Sequence, residues 1–324
     1  MALTRPVLLA ACLVGACKPA ATTPPTITPA PVTVTPPVDP VQPAPPAAPV
    51  TRAPPAFPET VFAAYPDETH AWSVAMIDFL GADVTALEQR LAAEPEGTQL
   101  ELPAGAPSLP ASIAAGDPWT LITRAGVEQH TAHGFSAVIS GGSGSLHFSV
   151  RLGPAPETSK GPVIAVRGPA SATAKLVAPT PVRPSTLAKD TLTKTVAAIA
   201  PHLEPEIQAV IPKIKFTDAH LKLYPGRFPG GRSHVGFLAA RAKGEENATL
   251  PVSGVVFVYP DGRVEFFAAA VTWGTATFLA LADIDGDGLD EILHDDTYFE
   301  GGYVQLIHWK EGRPFARTLT GDGL

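Results

Sequence analysis

The residues best suited to chemistry lie near the carboxyl terminus, where five carboxylates fall within nine residues. Asp283, Asp285 and Asp287 occupy positions 1, 3 and 5 of this run, Leu289 occupies position 7 and Glu291 position 9. Carboxylate oxygens at these positions, with the backbone carbonyl at position 7, can surround one hard cation such as Ca²⁺. Close carboxylates repel one another by about 1 kcal/mol per pair even in water, and a bound cation removes that cost. We therefore predict a calcium site with these five residues as ligands.

The segments on either side of the acidic run are those that must position it. Residues 278–282 are apolar and lead directly into Asp283, and Ile292 and Leu293 resume the apolar pattern after Glu291. This arrangement predicts a strand, a loop and a second strand. Glycines at positions 6 and 8 of the loop let the backbone turn without Cβ clashes while the carboxylates converge.

The pattern of the loop resembles the FG-GAP or VCBS type of calcium-binding repeat. It has Asp at positions 1, 3 and 5, Gly at 6, an acid at 9 and an aliphatic residue at 10. The resemblance implies the ligand set given above, with Asp290 turned away from the ion or in contact with its outer shell. The Phe-Gly and Gly-Ala-Pro signatures of the family do not accompany the loop, with Trp273 and Gly274 only an echo of them, and the sequence has no second Asp-rich loop. Since a propeller needs four or more blades, one repeat is expected to act as a clip on a sheet.

Other interpretations of the run remain open. An EF-hand shares Asp at 1, 3 and 5 and Gly at 6, but it needs Glu at position 12 and flanking helices. Position 12 is His294, and the flanks have strand patterns. A solvated acidic turn without metal is the third interpretation. Magnesium fits less well than calcium because it prefers few protein ligands and retains its waters.

The amino terminus has the pattern of a secretory signal, with Arg5 followed by an apolar run over residues 6–16. Val14, Gly15, Ala16 and Cys17 resemble the bacterial lipobox, which implies cleavage before Cys17 and acylation of that cysteine. A second match ends at Cys12, but it would leave an apolar region of only six residues. The chain has two cysteines, both in this segment, so cleavage before Cys17 leaves no internal disulfide. We predict a signal peptide over residues 1–16 and lipidation of Cys17, with an ordinary cleaved signal as the alternative.

Residues 17–58 are predicted to form an acylated, disordered, proline-rich tether. Fifteen of the 37 prolines lie between Lys18 and Pro58, and large apolar side chains are few. Such a segment cannot offset its ordering entropy by forming a core. In extended polyproline II conformation, some forty residues reach up to ~120 Å. A passive linker and a proline-rich ligand for a groove-type domain are the alternatives.

The pattern of residues 59–324 predicts an α+β fold with a mainly antiparallel β carboxyl-terminal domain. We expect a small mixed module over residues 59–167, a linker over 168–184 and a domain of helices and antiparallel strands over 185–324. In the first module, helices are expected over residues 72–80, behind Asp67 as a cap, and over 84–93. The strands expected there are 119–123, 135–139, 146–152 and 163–166.

The carboxyl-terminal domain is expected to begin with two helices and to continue as a meander. Ser185 is the predicted cap of the first helix, which ends before Pro201, and a shorter helix passes through Ile207 and ends before Pro212. The seven expected strands are 214–224, 235–241, 255–259, 264–268, 277–282, 302–309 and 314–319. Two of the connections, 260–263 and 310–313, have the composition of hairpin turns.

No catalytic constellation is evident elsewhere in the sequence. The glycine-rich stretch 141–145 does not match a nucleophile elbow, and His130 and His133 lack the Glu of a zinc helix. The formal net charge of −8 argues against nucleic acid as a partner. We expect a calcium-stabilised lipoprotein, anchored at the bacterial outer membrane or cell surface or on the periplasmic side, that binds an envelope or extracellular protein or polysaccharide. An envelope-polymer-active enzyme with its site in residues 59–167 and a structural spacer are the alternatives.

Overall fold

The structure is a computed structural model that describes residues 57–322 except 59, 77–84, 96–97, 103–114, 140–145, 158, 160, 244–248, 271–273 and 299–300. The described residues form sixteen strands and three α-helices, and every strand pair is antiparallel. The prediction of a mainly antiparallel β carboxyl-terminal region is confirmed. The predicted signal peptide, Cys17 and nearly all of the predicted tether lie outside the described residues.

The first sheet has eight strands in the spatial order β3-β6-β7-β2-β1-β8-β4-β5. In chain order these are β1 (Val61–Pro66), β2 (Ala71–Met76), β3 (Gln99–Leu102), β4 (Pro118–Ile122), β5 (Val127–Thr131), β6 (Gly134–Ile139), β7 (Leu146–Pro154) and β8 (Val163–Arg167). Helix α1 (Thr85–Ala92) places Leu87 and Leu91 in the core of this sheet, as its apolar spacing predicts.

The second sheet is a four-stranded meander with two helices on one face. Its strands are β9 (Leu221–Pro225), β10 (His234–Lys243), β11 (Thr249–Val258) and β12 (Val264–Ala269). Helices α2 (Thr191–Ile199) and α3 (Pro205–Val210) pack on it through Ile199 and Ile207. The turn between β11 and β12 is the predicted hairpin, in which Asp261 accepts a hydrogen bond from the N–H of Arg263 at 2.9 Å.

The third sheet is a second meander, and it contains the acidic loop. Its strands are β13 (Thr275–Ala282), β14 (Glu291–Tyr298), β15 (Gly301–Lys310) and β16 (Arg313–Asp322). β15 and β16 are joined by a two-residue turn in which Glu311 and Gly312 both have positive φ, 52° and 73°. This backbone conformation suits the right-handed twist of a hairpin, and it confirms the predicted turn.

The third sheet lies between the other two. Successive residues of a strand point to opposite faces, so each face can join a different core. Leu293 and Leu306 pack into the core of the first sheet, whereas their neighbours Ile292 and Ile307 pack against the aromatic face of the second sheet. The order of layers is therefore first sheet, third sheet, second sheet, helices.

The helix predicted over residues 72–80 is wrong in its described part. Residues 71–76 form β2, which pairs with β1 and β7, and the remainder lies outside the described residues. Trp72 and Val74 are buried on one face, with a spacing of two rather than of a helix. Asp67 is a turn residue, not a helix cap, since its carboxylate accepts hydrogen bonds from the N–H groups of Thr69 and Ala71 at 2.8 and 3.0 Å.

Ser185 does not cap α2, contrary to the sequence prediction. Residues Pro184–Thr186 form a short 3₁₀ turn, and α2 begins at Thr191, immediately after Asp190. The Ser185 hydroxyl donates to the carboxylate of Asp218 instead. The Ser185 hydroxyl thus bonds to a side chain distant in sequence, whereas a capping hydroxyl would accept from nearby backbone N–H groups.

The predicted linker 168–184 pairs with both carboxyl-terminal sheets. Val177 forms an antiparallel bridge with Leu281 of β13, and Val182 forms one with Leu223 of β9. The division of the chain into domains at this segment stays a prediction.

Candidate metal centre

The acidic loop connects two paired strands of the third sheet. Residues 283–290 join β13 to β14, and Ala282 pairs with Glu291 at the base of the loop. The predicted strand, loop and strand are therefore present, and the flanking helices that an EF-hand requires are not the elements found here. Gly286 and Gly288 have φ values of 79° and 88°, the left-handed region in which glycine carries no Cβ penalty.

The loop brings its three alternate aspartates together. One carboxylate oxygen each from Asp283, Asp285 and Asp287 lie within 4.8 Å of one another. Asp283 and Asp285 are half-buried, and Asp287 is exposed. Three hard oxygen donors at this separation are chemically suited to one cation of the calcium or magnesium type.

Backbone hydrogen bonds hold the three carboxylates in place. Asp283 accepts from the N–H of Gly288 at 3.2 Å, Asp285 from the N–H of Asp287 at 3.1 Å, and Asp287 from the N–H of Leu289 at 2.7 Å. The second oxygen of Asp283, Oδ1, is buried and has no hydrogen-bond donor among the described residues. Leu289 thus supports the loop through its N–H group.

The carboxylates are in an electrostatically unfavourable arrangement as they stand. Burial raises the pKa of Asp285, and the charges of Asp287 and Asp283 add to the rise. A positive charge among these groups would reverse this effect, because it favours the ionised form of each carboxyl.

Glu291, predicted as a fifth ligand, is not part of the cluster of three. Its side chain is 1% exposed, and Oε2 accepts a hydrogen bond from the N–H of Ile284 at 2.9 Å. Burial raises the pKa of Glu291 to about 9, and the negative charges of the loop aspartates contribute. The structure therefore places Glu291 beneath the loop, where it fixes the backbone next to Asp283.

Arg227 is a residue of this site that sequence reasoning missed. It follows β9 in the second sheet and donates to Asp290 from Nη2 at 2.6 Å and from its backbone N–H at 2.8 Å, while Asp290 donates its own N–H to the Arg227 carbonyl at 2.8 Å. Arg227 Nη2 also lies 3.6 Å from Asp283 Oδ2. Asp290 is therefore engaged by this arginine. The partners are 63 residues apart, so no local pattern could reveal them.

Several histidine and tryptophan side chains outside the acidic run have structural roles. His130 lies on β5, and its ring contacts Glu128 at 3.3 Å. Trp72 and Trp119 belong to the core of the first sheet. The indole N–H of Trp309 donates to the carbonyl of Asp290 at 2.9 Å and so braces the loop. Residues 141–145 and Trp273 lie outside the described residues.

A scan against protein-family models, a search of curated proteins and a search of solved structures each give no match to this chain. None of the helices in the described part of the chain has the length and apolar character needed to cross a membrane.

Proposed function

We propose that this protein is a lipid-anchored bacterial envelope protein, stabilised by calcium, that binds an envelope or extracellular partner. The observation that supports it most is the convergence of Asp283, Asp285 and Asp287 on a space lined by carboxylate oxygens. The loop that carries them joins the middle sheet to the β9–β10 segment through Arg227, so a bound ion would stabilise the contact between two layers.

The chemistry of the donors favours a hard cation such as calcium over transition metals. All of the candidate ligands are oxygen atoms, which suit hard cations, and neither thiolate nor imidazole takes part. Extracellular modules bind calcium with dissociation constants of about 10⁻⁴ to 10⁻³ M, which suits constant occupancy outside the cell. We therefore assign the ion a structural role.

The anchor and the partner are proposed from the sequence. The lipobox-like residues 14–17 favour acylation of Cys17, and two or three acyl chains hold a protein firmly because each buried methylene contributes about 0.8 kcal/mol. A proline-rich tether would then place the folded body at a distance from the membrane, where it can reach a protein or polysaccharide.

Thermal unfolding with calcium or with chelator tests the ion. Wild-type protein should melt higher in calcium than in EDTA, and Asp285→Ala combined with Asp287→Ala should abolish the difference. Glu204→Ala combined with Glu206→Ala removes the same charge from exposed positions at the start of α3 and should preserve it. An identical melting temperature of the wild type in both conditions would reject the ion.

Fractionation of the producing cells tests the anchor. Cys17→Ser should move the protein from the membrane fraction to the soluble envelope fraction. Cys12→Ser, the matched control, should leave it with the membrane. Retention of Cys17→Ser in the membrane fraction would show that acylation of this residue does not hold the protein.

A further inference from the structure

A cleft separate from the acidic loop lies between the first and third sheets. It has a volume of about 310 Å³ and opens at the margin of their shared core. Tyr65 and His147 line it from the first sheet, and Asp295 and Thr320 line it from the third. The volume is at the lower end of the range for small-molecule sites.

Strand register places the polar groups of the third sheet in one row. Asp295 pairs with Val304, which in turn pairs with Thr320, so these residues stand side by side across β14, β15 and β16. Neighbouring strands are about 4.8 Å apart, which puts Asp295 and Thr320 about 10 Å from each other on the same face. Gly302 and Gly321 also line the cleft and contribute no side chain to fill it.

Three polar side chains in the cleft have no side-chain partner among the residues that the structure describes. Asp295, His147 and Thr320 make no side-chain hydrogen bond or ion pair with any residue that the structure describes. Burial raises the pKa of Asp295, which is half-buried. Withdrawing a carboxylate from water without a hydrogen-bond donor is costly, so a ligand that supplies a donor would be stabilised there.

From this geometry we infer that the cleft binds a small organic cation that carries hydroxyl groups, of the amino-sugar or amino-alcohol class. The ammonium group pairs with Asp295, since a charge-assisted hydrogen bond satisfies the carboxylate. The hydroxyl groups of the ligand exchange hydrogen bonds with the imidazole of His147 and the hydroxyl of Thr320, both of which can donate and accept. This site is independent of the calcium loop, whose triad lies at the other end of β14.

Titration of the full-length protein with glucosamine tests the site, and glucose is the matched neutral probe. Glucosamine should shift the imidazole proton resonances of His147 in a saturable manner, and glucose should not. Asp295→Asn should weaken glucosamine binding by about tenfold or more, the effect expected for loss of one charge-assisted hydrogen bond. Glu206→Gln, at an exposed position on α3, should leave it unchanged.

Several results would overturn the inference. Equal binding of glucose and glucosamine would show that the cleft does not select a cation. Unchanged glucosamine binding by Asp295→Asn would remove the carboxylate from the site. If Asp295→Asn fails to fold, the wild-type titration decides alone, because unshifted His147 resonances at saturating glucosamine contradict the proposal.

Discussion

The two faces of the third sheet carry similar side chains in different surroundings. Asp295 and Asp296 are adjacent on β14, yet Asp295 borders an open cleft, whereas Asp296 is 5% exposed in the layer shared with the second sheet. Asp296 accepts a hydrogen bond from Gln305 at 3.0 Å, and its other oxygen has no donor among the described residues. The alternation of the strand thus assigns each acid to a face, and the neighbouring sheet determines its environment.

The face toward the second sheet holds a second buried polar group, His294. Its ring is 2% exposed, lies 5.8 Å from that of Phe237, and has no hydrogen-bond partner among the described residues. Burial lowers the pKa of His294 to about 4 and raises the pKa of Asp296 to about 6. Both groups are therefore driven toward their neutral forms on this face.

The largest predicted effect on the free energy of unfolding comes from truncating two adjacent residues of β15 that point to opposite faces of the third sheet. Leu306→Ala and Ile307→Ala each truncate a fully buried side chain of β15. Leu306 lies in the core between the first and third sheets, and Ile307 lies in the core between the third and second sheets. Each substitution should lower the free energy of unfolding by about 2–5 kcal/mol, as measured by chemical denaturation. A loss below about 1 kcal/mol for only one of them would show that its face is not a packed interface.

A somewhat smaller effect should appear in the pH dependence of stability. The contributions of His294 and Asp296 to stability change with pH in opposite directions. The folded-state pKa of His294 is below its unfolded value, so its contribution to stability is present above pH 6.5 and lost as the pH falls toward 4. The folded-state pKa of Asp296 is raised, so its contribution is present below pH 4 and lost as the pH rises through 6. Each contribution is about 3 kcal/mol, and in the wild type they largely cancel.

Single substitutions should separate these contributions. Asp296→Asn should make stability fall more steeply than in the wild type as the pH is lowered from 6.5 to 4, and His294→Phe should make it fall less steeply or rise. Unfolding measured at fixed EDTA concentration isolates the effect from metal binding. Parallel pH profiles for all three proteins would contradict the buried environment of these side chains.

The smallest effect is expected at the connection between the acidic loop and the second sheet. Arg227→Ala should cost about 1 kcal/mol or less, because the guanidinium is 60% exposed and such ion pairs are screened by solvent. The cost should shrink in 0.5 M NaCl. Arg313→Ala, at an exposed position at the start of β16, should show neither change. A salt-independent loss at Arg227 would indicate that neutral contacts of its side chain, not its charge, contribute to the connection.

The parts of the fold that the sequence predicted are those set by local chemistry. Asp261 and Gly262 determine one hairpin, and Glu311 with Gly312 determines another, through backbone conformations that few residues adopt. Residues 72–76 were mispredicted as helix because their apolar spacing also fits a helix. Pairing with β1 and β7 overrides that local preference, and this pairing depends on residues far along the chain.

The candidate sites also contain some features that local sequence determines and others that depend on tertiary packing. The aspartate triad could be predicted because its members are two residues apart and share one turn. Arg227 could not, since it reaches the loop only after two sheets have packed. The cleft containing Asp295 and His147 was equally inaccessible, because it exists only where strands distant in sequence face each other. Glu291 was predicted as a metal ligand from its spacing alone, whereas its burial, and hence its bond to Ile284, follows from tertiary packing.

The layer order has a consequence for biosynthesis. The strands of the first sheet are complete at Arg167, whereas the sheet that covers its apolar side begins at Thr275. Ribosomes add about 5–20 residues per second. The apolar face of the first sheet would therefore stay exposed for on the order of 5–20 s before synthesis of the third sheet begins. During this interval a chaperone would protect the molecule from self-association.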